Sequence, residues 1–214
     1  MPERTPEDRL REEYFDLLPQ IRRVAWYLEA EIRYHTRKIF QRLKPYEQLV
    51  IKSRVKECES ALRTLRDRQE GRTFDPDKLK GYSLLRLPDL AGVRILVFPN
   101  ARVVEVDHLL REHFHGWTYK PVKDDTGVAI APKYWGYCDK VCNKVRGEYQ
   151  VVPMLLGLFW EVEHSAIYKP AGWAKGADRD HDLKNLRTKV EVALSRFEQK
   201  FEEFVKRNSK RPSD

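Results

Sequence analysis

Asp89-Leu90-Ala91-Gly92-Val93-Arg94-Ile95-Leu96-Val97-Phe98-Pro99-Asn100 is the stretch on which the fold turns. Val93 to Phe98 is β-branched and apolar apart from Arg94, and Pro99-Asn100 closes it, so it predicts a buried strand. Asp89 stands just ahead of that strand, at an edge suited to a metal ligand. Arg94 interrupts the apolar run, and a charge in such a place needs a partner or a function. Val104, Val106, Leu109, Leu110 and Phe114 then recur at helical spacing, which predicts a helix from Val103 to Phe114.

Working outward, shorter strand candidates follow near 117–122, 127–131 and 135–145, and another from Glu148 to Val152 ends at Pro153. Met154 to Tyr168 reads as a helix with one strongly apolar side, and 170–181 as a loop. The final helix is the clearest: Leu183, Leu186, Val190, Leu194, Phe197, Phe201 and Phe204 step by three or four residues. Upstream, Thr5-Pro6-Glu7-Asp8 is a helix start, with Thr5 as cap and Pro6 in the first turn. Leu10, Tyr14, Leu17, Leu18 and Ile21 continue it, Pro19 is expected to kink or divide it, and a second helical stretch covers 21–43. Residues 45–70 read as helical through Leu49, Ile51, Val55, Leu62 and Leu65, and 71–88 as mostly loop. The order of elements is α+β: a mixed sheet of about five strands flanked by N- and C-terminal helices. The expected divisions are a helical extension over 1–44, a core over 45–170, and a C-terminal helix with a basic tail over 171–214.

The 214 residues suit one domain with helical extensions; 41% are hydrophobic, 35% are charged, and mean hydropathy is −0.68, which together predict a charged helical surface around a modest core. A formal net charge of +8 favours polyanionic partners such as nucleotides or nucleic acid. Cys58, Cys138 and Cys142 make no disulfide framework, and two of them alone make no zinc site. The opening Met-Pro-Glu-Arg-Thr-Pro has no signal-peptide character, and no apolar run is long enough to span a membrane, so the expected location is the cytoplasm.

Phosphate transfer from ATP needs cations on the triphosphate, carboxylates on Mg²⁺ and an acceptor held in line. Neither a P-loop nor a GxGxxG motif is present, so any nucleotide site must be built from side chains. Five clusters qualify. Arg54, Lys56, Ser60 and Arg63 offer a triphosphate grip, or else a solvated basic helix face. Asp89, Gly92 and Arg94 form the second, with a structural ion pair as the plain alternative. Lys133-Tyr134-Trp135-Gly136-Tyr137 places aromatics beside a cation, as base stacking requires, although a hairpin turn uses the same residues. Strand alternation puts Glu148 and Gln150 on one face and Tyr149 and Val151 on the other. Glu163-His164, with Tyr168-Lys169 a turn later, lies on an apolar helix, where a structural pair is the commoner finding.

Taken in order, these clusters resemble the synthetase domain of the RelA/SpoT family, above all its small single-domain members. The family pattern R-x-K…S, D-x-x-G-x-R, K-x-x-G-Y, E-x-Q and E-H-x-x-x-Y-K is matched by Arg54-x-Lys56 with Ser60, Asp89-x-x-Gly92-x-Arg94, Lys133-x-x-Gly136-Tyr137, Glu148-x-Gln150 and Glu163-His164-x-x-x-Tyr168-Lys169. The resemblance covers residues 45–170 and implies a nucleotidyltransferase-like synthetase fold and transfer of pyrophosphate from ATP to the ribose 3′-hydroxyl of GTP or GDP. It implies ATP-phosphate contacts from Arg54, Lys56, Ser60 and Arg94, and Mg²⁺ on Asp89 and Glu148. Lys133, Tyr137 and Lys169 would serve the acceptor, and Gln150, Glu163 and His164 would shape the centre. Two departures stand out: Cys138-Asp139-Lys140-Val141 where the family continues R-S-x-H, and Val152-Pro153 where it has R-T. They leave open a toxin that modifies the 3′ end of tRNA, an adenine-nucleotide acceptor, or a non-catalytic nucleotide- or RNA-binding module. An antitoxin partner belongs with the toxin reading. Nothing upstream resembles the hydrolase, so synthesis without degradation is expected. The apolar face of the last helix leaves packing on its own domain or on a second subunit both open.

Overall fold

The computed structural model describes residues 5–67, 81–123, 127–163, 165 and 181–208. Helix α1 runs from Pro6 to Phe40. Thr5 Oγ1 accepts the Asp8 amide at 3.2 Å and Asp8 answers on the Thr5 amide at 3.3 Å, a reciprocal cap. Of the two outcomes expected at Pro19, a kink or a division, the division does not occur in this helix. Its residues on both sides of Pro19, from Leu10 and Leu17 to Ile21, Val24, Leu28 and Ile32, are buried along one stripe. That packing outweighs the local penalty of proline, about 3 kcal/mol.

Residues 48–55 correct the helical reading of 45–70: they form strand β1, Gln48–Val55, and only α2, Cys58–Asp67, is helical. Leu49 and Ile51 are buried while Gln48, Val50, Lys52 and Arg54 are exposed, a period of two. Strand β2, Ala91–Phe98, follows a short 3-10 helix at Leu84–Arg86. Helix α3, Asn100–His113, leads to β3 (Thr118–Tyr119), β4 (Val122–Lys123) and β5 (Ala129–Ala131). The single strand expected over 135–145 is two: β6, Lys133–Cys138, turns at 139–141 into β7, Cys142–Pro153. Helix α4 spans Met154–Glu163 and α5 spans His181–Asn208. The rest of the helix expected to Tyr168, and the loop over 170–181 up to its last residue, lie outside the described residues.

The main sheet has five strands in the order β1-β2-β7-β6-β3, and β4 and β5 pair separately. Among the described residues only β2 and β7 pair in parallel, so α3 belongs to a crossover between them. One face is covered by α1 and α3: Ile51, Val93, Ile95, Tyr134, Tyr149 and Val151 pack with Leu28, Ile32, Val106 and Leu110. Tyr134 and Tyr149 stack there with centroids 4.9 Å apart. On the opposite face an apolar cluster sits near the C-terminal ends of β2 and β7, where Leu96 and Val152 meet Met154 and Trp160. Gly157 lets α4 come that close, since a Cβ there would lie 2.3 Å from Leu96 Cδ2. The α+β architecture with flanking helices is as the sequence predicts. Among the described residues no helix is long and apolar enough to cross a membrane.

Candidate functional site

Sheet register assembles the polar face. Lys52 is opposite Arg94, Arg94 opposite Gln150, and Gln150 opposite Lys133, so one row crosses four strands. The adjacent row is Arg54, Gly92, Glu148 and Trp135. Gly92 leaves its place in that row to Arg54, whose Cγ and Nε lie 3.5 Å from where a Cβ would stand. Pairing of residues on one face is what strand alternation dictates once the register is set.

These rows floor a cleft of about 570 Å³ lined by Lys52, Ser53, Arg54, Arg94, Val122, Lys123, Lys133, Gln150, Trp160, Glu161, Glu163, Ser165 and Arg187. Arg94 sits deepest among the cations. Burial and the neighbouring Arg54 lower its pKa, and its nearest carboxylate, Glu161, is 4.0 Å away. Its Nε is buried without a hydrogen-bond partner among the described residues. A guanidinium so placed has unused capacity for an anion. Glu148, only 3% exposed, accepts a hydrogen bond from Gln150 Nε2 at 2.8 Å and has Lys133 Nζ at 3.5 Å. At the N-terminal edge of β2, Asp89 holds Lys56 Nζ at 2.5 Å and Arg54 at 3.9 Å. Lys56 is fixed there because its amide donates to Leu90 O at 2.9 Å and its carbonyl accepts the Tyr14 hydroxyl at 2.9 Å.

The cleft thus brings together Arg54, Arg94, Lys133, Gln150 and Glu163 from the sequence-derived set, with Glu148, Asp89 and Lys56 joined to them by ion pairs or register. Tyr137 lies on β6 two residues from Trp135, on the same strand face, and is 46% exposed. Ser60 is in the first turn of α2 and does not line the cleft. His164, Tyr168 and Lys169 lie outside the described residues. Sequence reasoning missed Lys52, Glu161 and Arg187. Lys52 pairs with Glu161 at 2.7 Å, and Arg187 of α5 meets Glu163 at 3.2 Å and Glu191 at 3.3 Å. Lys52 carried a usable signal, two residues before Arg54 in an alternating run. Arg187 carried none, because it arrives from a distant helix.

At the second departure from the family pattern, Val152 is fully buried against Leu96 and Trp160, so the strand end is roofed by α4 instead of presenting a cation. At the first, Cys138 is buried opposite Cys142 at the β6–β7 turn.

No protein-family model matches the chain, and no curated protein matches it. Solved structures do. The small alarmone synthetase 1 from Bacillus subtilis is 16% identical over 94% of this chain and 100% of its own, with a TM-score of 0.66. The same protein bound to its product pppGpp gives a TM-score of 0.64 at 16% identity, with 93% of this chain and 100% of that one covered. A GTP pyrophosphokinase family protein from Streptococcus pneumoniae gives 0.57 at 19% identity, covering 89% and 92%. The chain therefore has an α+β fold of the pyrophosphokinase type. More narrowly, it is the fold of the small alarmone synthetases.

Proposed function

We propose that this protein transfers pyrophosphate from ATP to the ribose 3′-hydroxyl of GTP or GDP, releasing AMP. The observation that carries this reading is the two-row polar face, in which Arg54, Arg94, Lys133 and Gln150 line one cleft and Glu148 is paired to Lys133 beside them. Structures with the same fold, solved with pppGpp and with AMPCPP, support it.

Arg54, Lys56 and Arg94 hold the triphosphate, and their fixed positions neutralise charge that builds during transfer. Asp89, just ahead of β2, and Glu148, opposite Gly92 on the adjacent β7, are hard oxygen donors, a donor set that fits Mg²⁺. When bound, that ion supplies charge neutralisation on the phosphate oxygens. Lys133 orients acceptor phosphates, and exposed Tyr137 offers a face for the acceptor base. The acceptor 3′-oxygen bonds to the β-phosphorus as the bond from that phosphorus to the α,β-bridging oxygen breaks. AMP leaves, and the hydroxyl proton is lost to solvent or to a cleft base. Alignment supplies much of the rate.

The test incubates purified protein with labelled ATP, Mg²⁺ and GDP, GTP, ATP or tRNA in turn. Labelled (p)ppGpp is the expected product. Label only on tRNA or on an adenine nucleotide replaces the acceptor, and nucleotide binding without transfer to any of them removes the enzymatic reading.

A further inference from the structure

Behind the sheet, Glu31 and His35 lie one turn apart on α1 and face His113, the last residue of α3. Both imidazole Nε2 atoms point at one carboxylate oxygen, Glu31 Oε2, from 3.0 Å for His113 and 3.6 Å for His35. The three ligand atoms lie within 4.8 Å of one another, and the side chains are only 26–30% exposed. Tyr27 also hydrogen-bonds the Glu31 carboxylate. Two imidazoles and one carboxylate are a zinc-type ligand set, and a rotation of the two rings, whose centroids are 3.5 Å apart, aims both nitrogens at one point. Tetrahedral bonds of about 2.0–2.1 Å put neighbouring donors roughly 3.3 Å apart, and the two spacings bracket that value.

We infer that Glu31, His35 and His113 form a binding site for a zinc-class divalent transition metal, separate from the cleft. Two nitrogens and one carboxylate suit Zn²⁺ and not Mg²⁺, which takes oxygen ligands and keeps its waters. Three protein ligands leave a fourth position for water. The ion ties α1 to α3. The same α1 grips β1 through Arg33 on Ile51 O at 3.1 Å, and holds the residue that follows the strand through Tyr14 on Lys56 O. Zinc therefore braces the strand that carries Lys52 and Arg54.

The experiment titrates tag-free protein with Zn²⁺ in the presence of excess Mg²⁺, reading heat of binding and thermal unfolding. One Zn²⁺ per chain is expected, with Tm raised by roughly 5–10 °C at one hundred times the dissociation constant. His35→Ala and His113→Ala should each lose at least about tenfold in affinity. Because an alanine there can loosen the helix pair, His35→Gln and Co²⁺ absorption on the wild-type protein provide independent readings: imidazole-type bands support the site, thiolate charge transfer does not. No zinc binding by the folded wild type overturns the proposal. So does unchanged stoichiometry and affinity in both histidine variants, which would place the metal on other residues of the chain. Neither outcome depends on pyrophosphate transfer.

Discussion

Single side chains divide this chain into residues that hold the fold and residues that face the cleft. Gly136, part of the K-x-x-G-Y pattern, belongs to the first group: a Cβ there would stand 2.5 Å from the Trp117 ring, so the glycine makes room for an aromatic and not for a ligand. Glu148 belongs to the second, since a buried carboxylate with a lysine at 3.5 Å and an amide donor at 2.8 Å is held in place. Asp89→Asn and Glu148→Gln keep side-chain size and remove charge. Each is expected to cut transfer by about 100–1000-fold in kcat, the scale of losing one preorganised electrostatic contact, while circular dichroism and Tm stay near wild type. Full activity in either variant would remove that residue from the metal and phosphate roles. The identity of these residues was legible in the sequence, because short spacings inside one strand survive folding unchanged. Their partners were not: Lys133 and Glu148 are joined by register across two strands, and Arg187 by a helix beyond residue 180.

Among the elements, β1 and α5 decide how the cleft is closed. β1 was misread because Leu49, Ile51 and Val55 also fit a loose helical spacing, and the edge strand gains its identity only by pairing with β2 from Gln48↔Phe98 to Val55↔Ala91. Helix α5 is fastened by carboxylates: Glu191 accepts from Trp160 Nε1 at 2.8 Å, Glu198 from the Leu155 amide at 3.4 Å, and Glu202 from the Ala101 amide at 2.7 Å. Glu198 is 1% exposed, and burial, with Glu202 nearby, raises its pKa from 4.5 to about 7. A raised carboxyl pKa means the folded state binds the extra proton. Its contribution is complete below about 4.5 and is lost as pH rises through 7. Glu198→Gln abolishes that loss. Guanidinium denaturation should find the variant gaining about 1–3 kcal/mol on wild type between pH 5 and pH 8. An unchanged difference at the two pH values would mean that Glu198 is ionised in the folded state throughout.

For the whole molecule, part of the net charge of +8 gathers around one cleft, where the sheet brings Lys52, Arg54, Arg94 and Lys133 and α5 adds Arg187. Field of that sign attracts any polyphosphate, so affinity alone does not identify the acceptor. Salt dependence does. An RNA tracking a basic surface should give a log-log slope of about −0.7 per phosphate engaged, whereas a single nucleotide, which carries no condensed counterion atmosphere, should give a shallower one. Equilibrium binding of GDP and of tRNA from 50 to 500 mM salt, roughly a Debye length of 14 down to 4 Å, measures both slopes. A steep slope for tRNA together with weak GDP binding would move the acceptor from nucleotide to RNA.

By itself the sequence determined the α+β class, the buried β2 strand, the capped first helix, the amphipathic last helix and the motif residues. All of these rest on local patterns: alternation, helical spacing, capping chemistry and charges out of place in apolar runs. Only the tertiary structure decided that Pro19 stays inside one continuous helix, that 48–55 is a strand, and that Lys52, Arg94, Gln150 and Lys133 form one row. It alone brought Glu31, His35 and His113 together from α1 and α3. The reason is common to all of them. Packing energy and strand register depend on which surfaces meet, and residues far apart in the chain meet only when the sheet and its helices have closed.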